Sequence, residues 1–270
     1  MAKEDQLKGA MAKLPGGQTL VSVSRLALQG FRDLRLLGAR LVGAQNLELK
    51  ALTFHNFRDL YSIDPNGIDR SLNHREDKTN RFVASGEWDV VSSAPLPDAK
   101  PILYETVHMM FVDGAHYRET PQYRQMRDAV TRYRAGEIAR PDRHGAYWCR
   151  DLPDIDRYFE ILQRVYEQIR DEGYRTQEQL ARENGELVKK SYDEISICLS
   201  RDGTPILEYD GTHRLLMCQI LNVPSAPVQV KRVHADWAKE AMDRFKSIRS
   251  AEARLKKALA ETFPLFQESE

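Results

Sequence analysis

The chain predicts an α+β fold, a small mixed sheet with helices, preceded by a largely helical N-terminal region and followed by a long C-terminal helix. Three observations carry that expectation. From Glu194 onward the patterns run strand, turn, strand, helix, strand, helix. Several segments before Glu194 place apolar residues at helical intervals. Apolar residues make up 41% of the 270 and charged residues 30%, the balance of a globular chain with a sizeable core. Length suits one core domain with a decorated N-terminal region or two small domains, and the patterns place the expected division at 1–150, helix-rich with loops, and 151–270, holding the sheet and the last helix.

From Ser24, "SRLALQGFRDLRLLGARLVGAQ" spaces Leu26, Phe31, Leu34, Leu37 and Leu41 as an amphipathic helix interrupted by Gly30 and Gly38. Its arginines leave a membrane-surface helix as a second reading beside ordinary packing. "SIDPNGIDRSLNHREDKTNRF" is turn-rich and polar, a loop. "RFVASGEWDV" reads as a short strand, followed by a proline-rich connector from Ser92 to Pro101. Thr120 then offers an N-cap, Pro121 a first helical residue and Gly136 a stop. Arginines in this helix interleave with Glu119, Asp128 and Glu137, so an ion-paired solvated face is favoured over a nucleic-acid surface.

After Asp151, the residues Ile155, Phe159, Leu162, Val165, Tyr166 and Ile169 form a buried stripe that ends at Gly173, a C-cap glycine. "EISICLS" alternates as a half-buried strand, "RDGTP" is a hairpin turn and "PILEYD" is the returning strand. "HRLLMCQILNV" is a helix that Asn222 terminates, "APVQVKRVH" a third strand, and the stretch from Asp236 one long helix with Trp237, Ala241, Phe245, Ile248, Leu255 and Leu259 on one side.

Charge and cysteine content exclude several classes. Lys plus Arg equals Asp plus Glu, 40 each, so no global charge draws a polyanion, although a local basic face stays open. The first residues carry charges of both signs and no apolar h-region, and no stretch is long enough to span a bilayer. Three well-separated cysteines form neither a disulfide framework nor a zinc motif. A cytoplasmic protein is expected.

One short stretch carries chemistry. In "ILEYDGTHRLL" the pattern changes from strand to helix across Asp210, Gly211, Thr212, His213 and Arg214. The first N–H groups of a helix lack internal acceptors and carry the positive end of its dipole, so such a turn suits an anion. Gly211 allows close backbone approach, Thr212 can cap or bond a phosphate oxygen, and His213 and Arg214 add donors. Basic residues there oppose the dipole by several tenths of a kcal/mol each, recovered if an anion binds. Asp210 can accept a hydroxyl proton or hold Mg²⁺. The plain alternative is that Asp210 or Thr212 caps the helix and the two basic side chains pair with nearby acids such as Glu208.

The span from Glu194 to Trp237 resembles the ParB/sulfiredoxin-type domain, whose members place a G-x-H-R or related motif at a strand-to-helix turn that binds nucleotide phosphates. Sulfiredoxins carry a reactive cysteine where this chain has Thr212, which cannot form their sulfur intermediates. ParB proteins add a helix-turn-helix after the motif, whereas here one helix follows Trp237. "DGTHR" matches, residue for residue, the D-G-x-H-R motif of archaeal free-serine kinases of that fold. The resemblance implies that Gly211, Thr212, His213 and Arg214 bind the nucleotide (ATP, ADP or CTP), that Asp210 and His213 are catalytic, and that Asp210 holds Mg²⁺. It implies a nucleotide-dependent phosphotransferase acting on a small hydroxyl-bearing or glycan substrate. The alternative is a ParB-like nucleotide-gated DNA-binding or nuclease-type module without kinase activity.

"GEWD", "HYRET" and "EGYRTQEQL" also resemble uncharacterised ParB-like proteins. Tyr174, Arg175 and Gln177 follow a helix stop and Glu194 begins the sheet, so they are expected either to line the site or to form an ordinary loop with a packed tyrosine. His234 is read as site-lining or as a capping residue, and Trp88 with Asp89 as a substrate-side wall or core. The common phosphate-loop, dinucleotide, hydrolase and zinc-protease motifs are absent.

Overall fold

The computed structural model describes residues 49, 52–53, 57–73, 81–183 and 194–267. The helix expected from Ser24 lies outside the described residues, as do 74–80 of the polar loop and 184–193 of the polar stretch before the sheet. The protein is a mixed α+β structure. Its strands are β1 (Leu60–Ile63), β2 (Arg70–Leu72), β3 (Val83–Ala84), β4 (Ser93–Pro95), β5 (Ile195–Leu199), β6 (Pro205–Leu207) and β7 (Ala226–His234).

They form one sheet in the order β1-β7-β5-β6-β2-β4. β5 lies parallel to β7 and antiparallel to β6, with Leu199 opposite Pro205 across the expected hairpin. β1 and β3 share the far side of β7, β1 along Ala226–Gln229 and β3 at Val233 and His234. Strands from 60–95 and strands from 195–234 therefore make a single sheet, and the main hydrophobic cluster crosses residue 150 with it. The polar stretch read as a loop from Ser62 contains β2, whose Ser71 is paired in parallel with Leu207. Three residues are too few to show an alternation.

β5 is buried at all five positions, not half-buried. It lies between β7 and β6 and is covered on both faces. Ile195, Ile197 and Leu199 enter the main core, while Cys198 packs with Leu72, Trp88 and Ile206 on the opposite face. The period-2 alternation is real, but small residues fill the second face instead of solvent.

Helices cover the main face. α1 (Trp88–Val91) and α2 (Leu96–Ala99) are single turns, α3 is Pro101–Phe111, α4 is Pro121–Arg134 and α5 is Leu152–Glu172. As expected, the Thr120 hydroxyl accepts the Tyr123 N–H at 3.4 Å and Gly136 follows the end of α4 at φ 77°. Arg132 on α4 pairs with Asp128 and Glu137, both at 3.6 Å. Asp151 caps α5 by accepting the Asp154 N–H at 2.9 Å, and Gly173 ends it at φ 82°. A short α6 (Gln177–Glu183) follows, and α7 (Thr212–Ile220) packs against α3 and α5.

The expected long C-terminal helix is two helices, α8 (Ala235–Arg244) and α9 (Ala251–Thr262). The break has a visible cause in Arg254, which is 6% exposed. Its guanidinium donates to the carbonyls of Lys246 at 3.0 Å and Met242 at 3.4 Å, and to that of Ile248. One buried cation thus gathers the carbonyls at the end of α8, and Ser250 starts α9 by accepting the Ala253 N–H at 3.3 Å.

Candidate functional site

The turn into α7 is anchored to β5. Glu208 N–H donates to the Ser196 carbonyl at 2.7 Å and Ser196 N–H to the Asp210 carbonyl at 3.1 Å, so the chain stays paired with β5 up to the turn. Gly211 then adopts φ 83°, ψ 13° and becomes the N-cap residue of α7. A β-carbon at this position would stand 2.5 Å from the Ile195 Cα and 3.1 Å from the Glu194 carbonyl oxygen. Both the left-handed dihedral and the lack of room require glycine. Thr212, 5% exposed, is the first helical residue, and the cap position before it is Gly211, which has no side chain to cap with. Thr212 is therefore not the cap that the sequence offered.

His213 points between α4 and α5. The buried amide of Gln122 donates from Nε2 to the Tyr158 hydroxyl at 3.0 Å, which turns its Oε1 toward His213 Nε2, also at 3.0 Å. A carbonyl oxygen can only accept, so His213 Nε2 carries the proton. The Tyr158 hydroxyl is 3.5 Å from the same nitrogen, and the two rings meet edge-on. Burial pushes the His213 pKa down to about 4, and the neighbouring Arg214 charge lowers it further. The ring is neutral at neutral pH. Burial also raises the Tyr158 phenol well above its ordinary value.

Arg214 turns the other way. Its Nη1 donates to Glu194 Oε2 at 3.1 Å and to the Tyr174 hydroxyl at 3.0 Å. Tyr174 in turn donates to Glu194 at 2.8 Å, and the Gln177 N–H donates to the second carboxylate oxygen at 2.5 Å. Three of the four residues expected to line the site, Tyr174, Gln177 and Glu194, thus converge on one member of the motif. The guanidinium and carboxylate side chains are only 13% and 4% exposed, a buried ion pair.

The fourth, His234, is elsewhere. β5 runs from Ile195 beside Gly211 to Leu199 beside Val233, four residues or about 13 Å along the sheet. His234 caps α8 by accepting the Asp236 N–H on Nδ1 at 3.1 Å and donates from Nε2 to the Gly86 carbonyl at 2.8 Å. Nearby, Arg201 grips the buried Asp89 with Nε at 2.9 Å and Nη2 at 2.8 Å. Hydrogen bonds from Arg201 hold the Asp89 carboxyl down at about 2. Trp88 belongs to the small cluster on the second face. Both readings of Trp88 and Asp89 resolve to packing and pairing at the far end of the sheet.

Residues that sequence reasoning passed over complete the surroundings of the turn. Tyr209 is 55% exposed, and the Lys100 ammonium lies 5.0 Å from its ring centroid. Burial lowers the Lys100 pKa, and the charge of Glu208 partly restores it. Tyr147 holds φ 49°, left-handed for a non-glycine residue, and stacks on Tyr158 at 5.3 Å, with Trp148 beside it. A cleft of about 880 Å³ lies away from the motif, lined by Met110, His116, Tyr117, Phe159 and Arg164 among others. Phe159 stacks on Tyr117 and meets Tyr158 edge-on, so a wall of rings separates this cleft from His213.

Among the described residues no group of three His, Cys, Asp or Glu side chains suits a metal ion. No described helix is long and apolar enough to cross a membrane. No family model, curated protein or solved structure matches the chain.

Proposed function

We propose that this protein binds a nucleotide, ATP, ADP or CTP, by its phosphates at the start of α7 and transfers a phosphoryl group to the hydroxyl of a small molecule or glycan. The supporting observation is a helix N-terminus whose cap residue is a glycine, held so close against β5 that the cap position itself can carry no side chain. Its backbone N–H groups and dipole favour an anion. Exposed Tyr209 and the ammonium of Lys100 stand beside it, an aromatic face for a base and a positive charge.

The roles of the motif residues divide in this reading. Arg214 is largely neutralised by Glu194, so it stiffens the turn more than it attracts phosphate. Asp210, half-buried at the turn, is the candidate to accept the acceptor hydroxyl's proton as that oxygen bonds to phosphorus and the bond to the departing nucleotide oxygen breaks. Mg²⁺ is commonly held by one or two carboxylates plus substrate phosphates, which fits Asp210 as a lone protein ligand whose ion arrives with the nucleotide. Bound there, the ion supplies charge neutralisation on the phosphates.

Isothermal titration with ATP, ADP and CTP in the presence of Mg²⁺ tests this directly. Saturable binding that Tyr209→Ala weakens supports the site, and no heat with any nucleotide overturns it. The rival, DNA binding without turnover, is weakened by the ion pairs that occupy Arg132 on the arginine-rich α4. A gel shift that falls steeply with salt would favour it.

A further inference from the structure

We propose that the cleft beside α3 and α5 binds a dipeptide-sized zwitterion with an aromatic side chain. The cleft is independent of the transfer reading, since rings separate it from the turn into α7. Its volume, about 880 Å³, is that of a small-molecule site. One wall is the end of α3 and the segment after it, with Met110, His116 and Tyr117. The other is one face of α5, with Glu160, Gln163 and Arg164.

The first wall is a fixed ring surface. Tyr117 stacks on the fully buried Phe159 at 5.2 Å, with the two planes 9° apart, and its hydroxyl donates to Asp156 at 3.2 Å. The ring is held at its face and at its tip, and it stays half-buried, so part of it serves the cleft. His116 tilts against it at 4.3 Å, and its Nδ1 accepts the Arg118 N–H at 3.2 Å. The neutral imidazole therefore offers an Nε2–H donor.

The second wall carries one charge of each sign. Glu160 and Arg164 stand at i and i+4 in the order that favours an ion pair. Arg164 Nε donates instead to the Glu160 backbone carbonyl at 3.4 Å, and neither charge is paired with another described residue. Elsewhere on α5, Asp156 pairs with Arg118 at 2.8 Å and Asp171 with Arg170 at 2.7 Å. Gln163 spends its Nε2 on Glu167 at 2.9 Å and keeps Oε1 as an acceptor. Four residues of helix advance about 6 Å, and the ends of an extended dipeptide lie about 7 Å apart. An ammonium on Glu160, a peptide N–H on Gln163 and a carboxylate on Arg164 follow the order of groups along a dipeptide, whose aromatic side chain then meets Tyr117.

Isothermal titration of the full chain with phenylalanyl-alanine, its N-acetyl form and its C-terminal amide tests the assignment. The parent dipeptide should bind saturably, and each blocked form about five-fold more weakly. Alanyl-alanine should bind about ten-fold more weakly. Glu160→Gln should bind the parent and the N-acetyl form equally while still discriminating against the amide, and Arg164→Gln should do the reverse. Both positions are exposed, so neither substitution disturbs the core. The proposal is overturned by no saturable heat, by indifference to both blocking groups, by discrimination that survives in the matching variant, or by free phenylalanine binding as tightly as the dipeptide. Nucleotide titration of the two variants should be unchanged, so the two ideas fall separately.

Discussion

A β-carbon on Gly211 would stand 2.5 Å from the Ile195 Cα, closer than any two such carbons can pack. The start of α7 and the start of β5 are therefore one rigid junction. Gly211→Ala should lower stability by about 2 kcal/mol or more, since the positive φ alone accounts for about 1–2. Gly136→Ala is the control: its φ is also positive, 77°, but nothing lies within 4 Å of the added carbon. Urea midpoints should show the Gly211 variant as clearly the worse of the two.

The Arg214–Glu194 pair is expected to behave as a buried ion pair. Arg214→Met alone should destabilise by about 3 kcal/mol, because it strands the carboxylate. Combining it with Glu194→Leu should recover much of that loss. A double-mutant cycle by chemical denaturation measures the coupling, and a cycle with no coupling would mean that Tyr174 and Gln177 hold the carboxylate unaided.

His213 gives stability a particular pH dependence. Its folded pKa is depressed to about 4 from an ordinary 6.5, so the unfolded chain binds the proton first as pH falls. Its contribution is complete above pH 6.5 and is lost as pH drops toward 4. The loss is at most about 3 kcal/mol, less because the ring is only half-buried. Denaturation midpoints at pH 7 and pH 4.5 should differ less for His213→Asn than for the unaltered chain.

Asp89 separates the two ends of the sheet. Its carboxyl is depressed to about 2 by Arg201, so its contribution is complete above its ordinary 3.8 and is lost as pH falls through about 2. Asp89→Asn should cost about 1–3 kcal/mol at neutral pH, through the weakened grip of Arg201. Nucleotide affinity should stay within about two-fold, because Asp89 lies at the end of β5 remote from Gly211. A ten-fold loss in affinity would show that the two ends are coupled.

The local signals were legible in the chain. Thr120–Pro121 and Gly173 marked helix ends because capping is settled within a few residues. The close backbone approach and unusual dihedral expected at Gly211 are both present, against Ile195 and at φ 83°. What was not legible was decided at a distance. β2 and β3 are three and two residues long, and only pairing with β6 and β7 makes them strands. The break after α8 hangs on Arg254, which reads in sequence as a solvated charge and is in fact surrounded by carbonyls. The partners of His213 come from positions 122 and 158, and no spacing rule links those to 213.

β7 sets a clock for assembly. Among the strands of the described residues β1 and β3 pair only with β7, β1 being met also by a single bridge from Leu265, and Leu60 must wait for Gln229, a separation of 169 residues. A chain emerging from its N-terminal end can pair β4, β2, β6 and β5, but β1 and β3 stay bare until β7 appears. The sheet then closes around it in one late event, so folding should be slow and governed by long-range contacts. Variants that weaken β7 should leave the earlier strands to pair with other molecules.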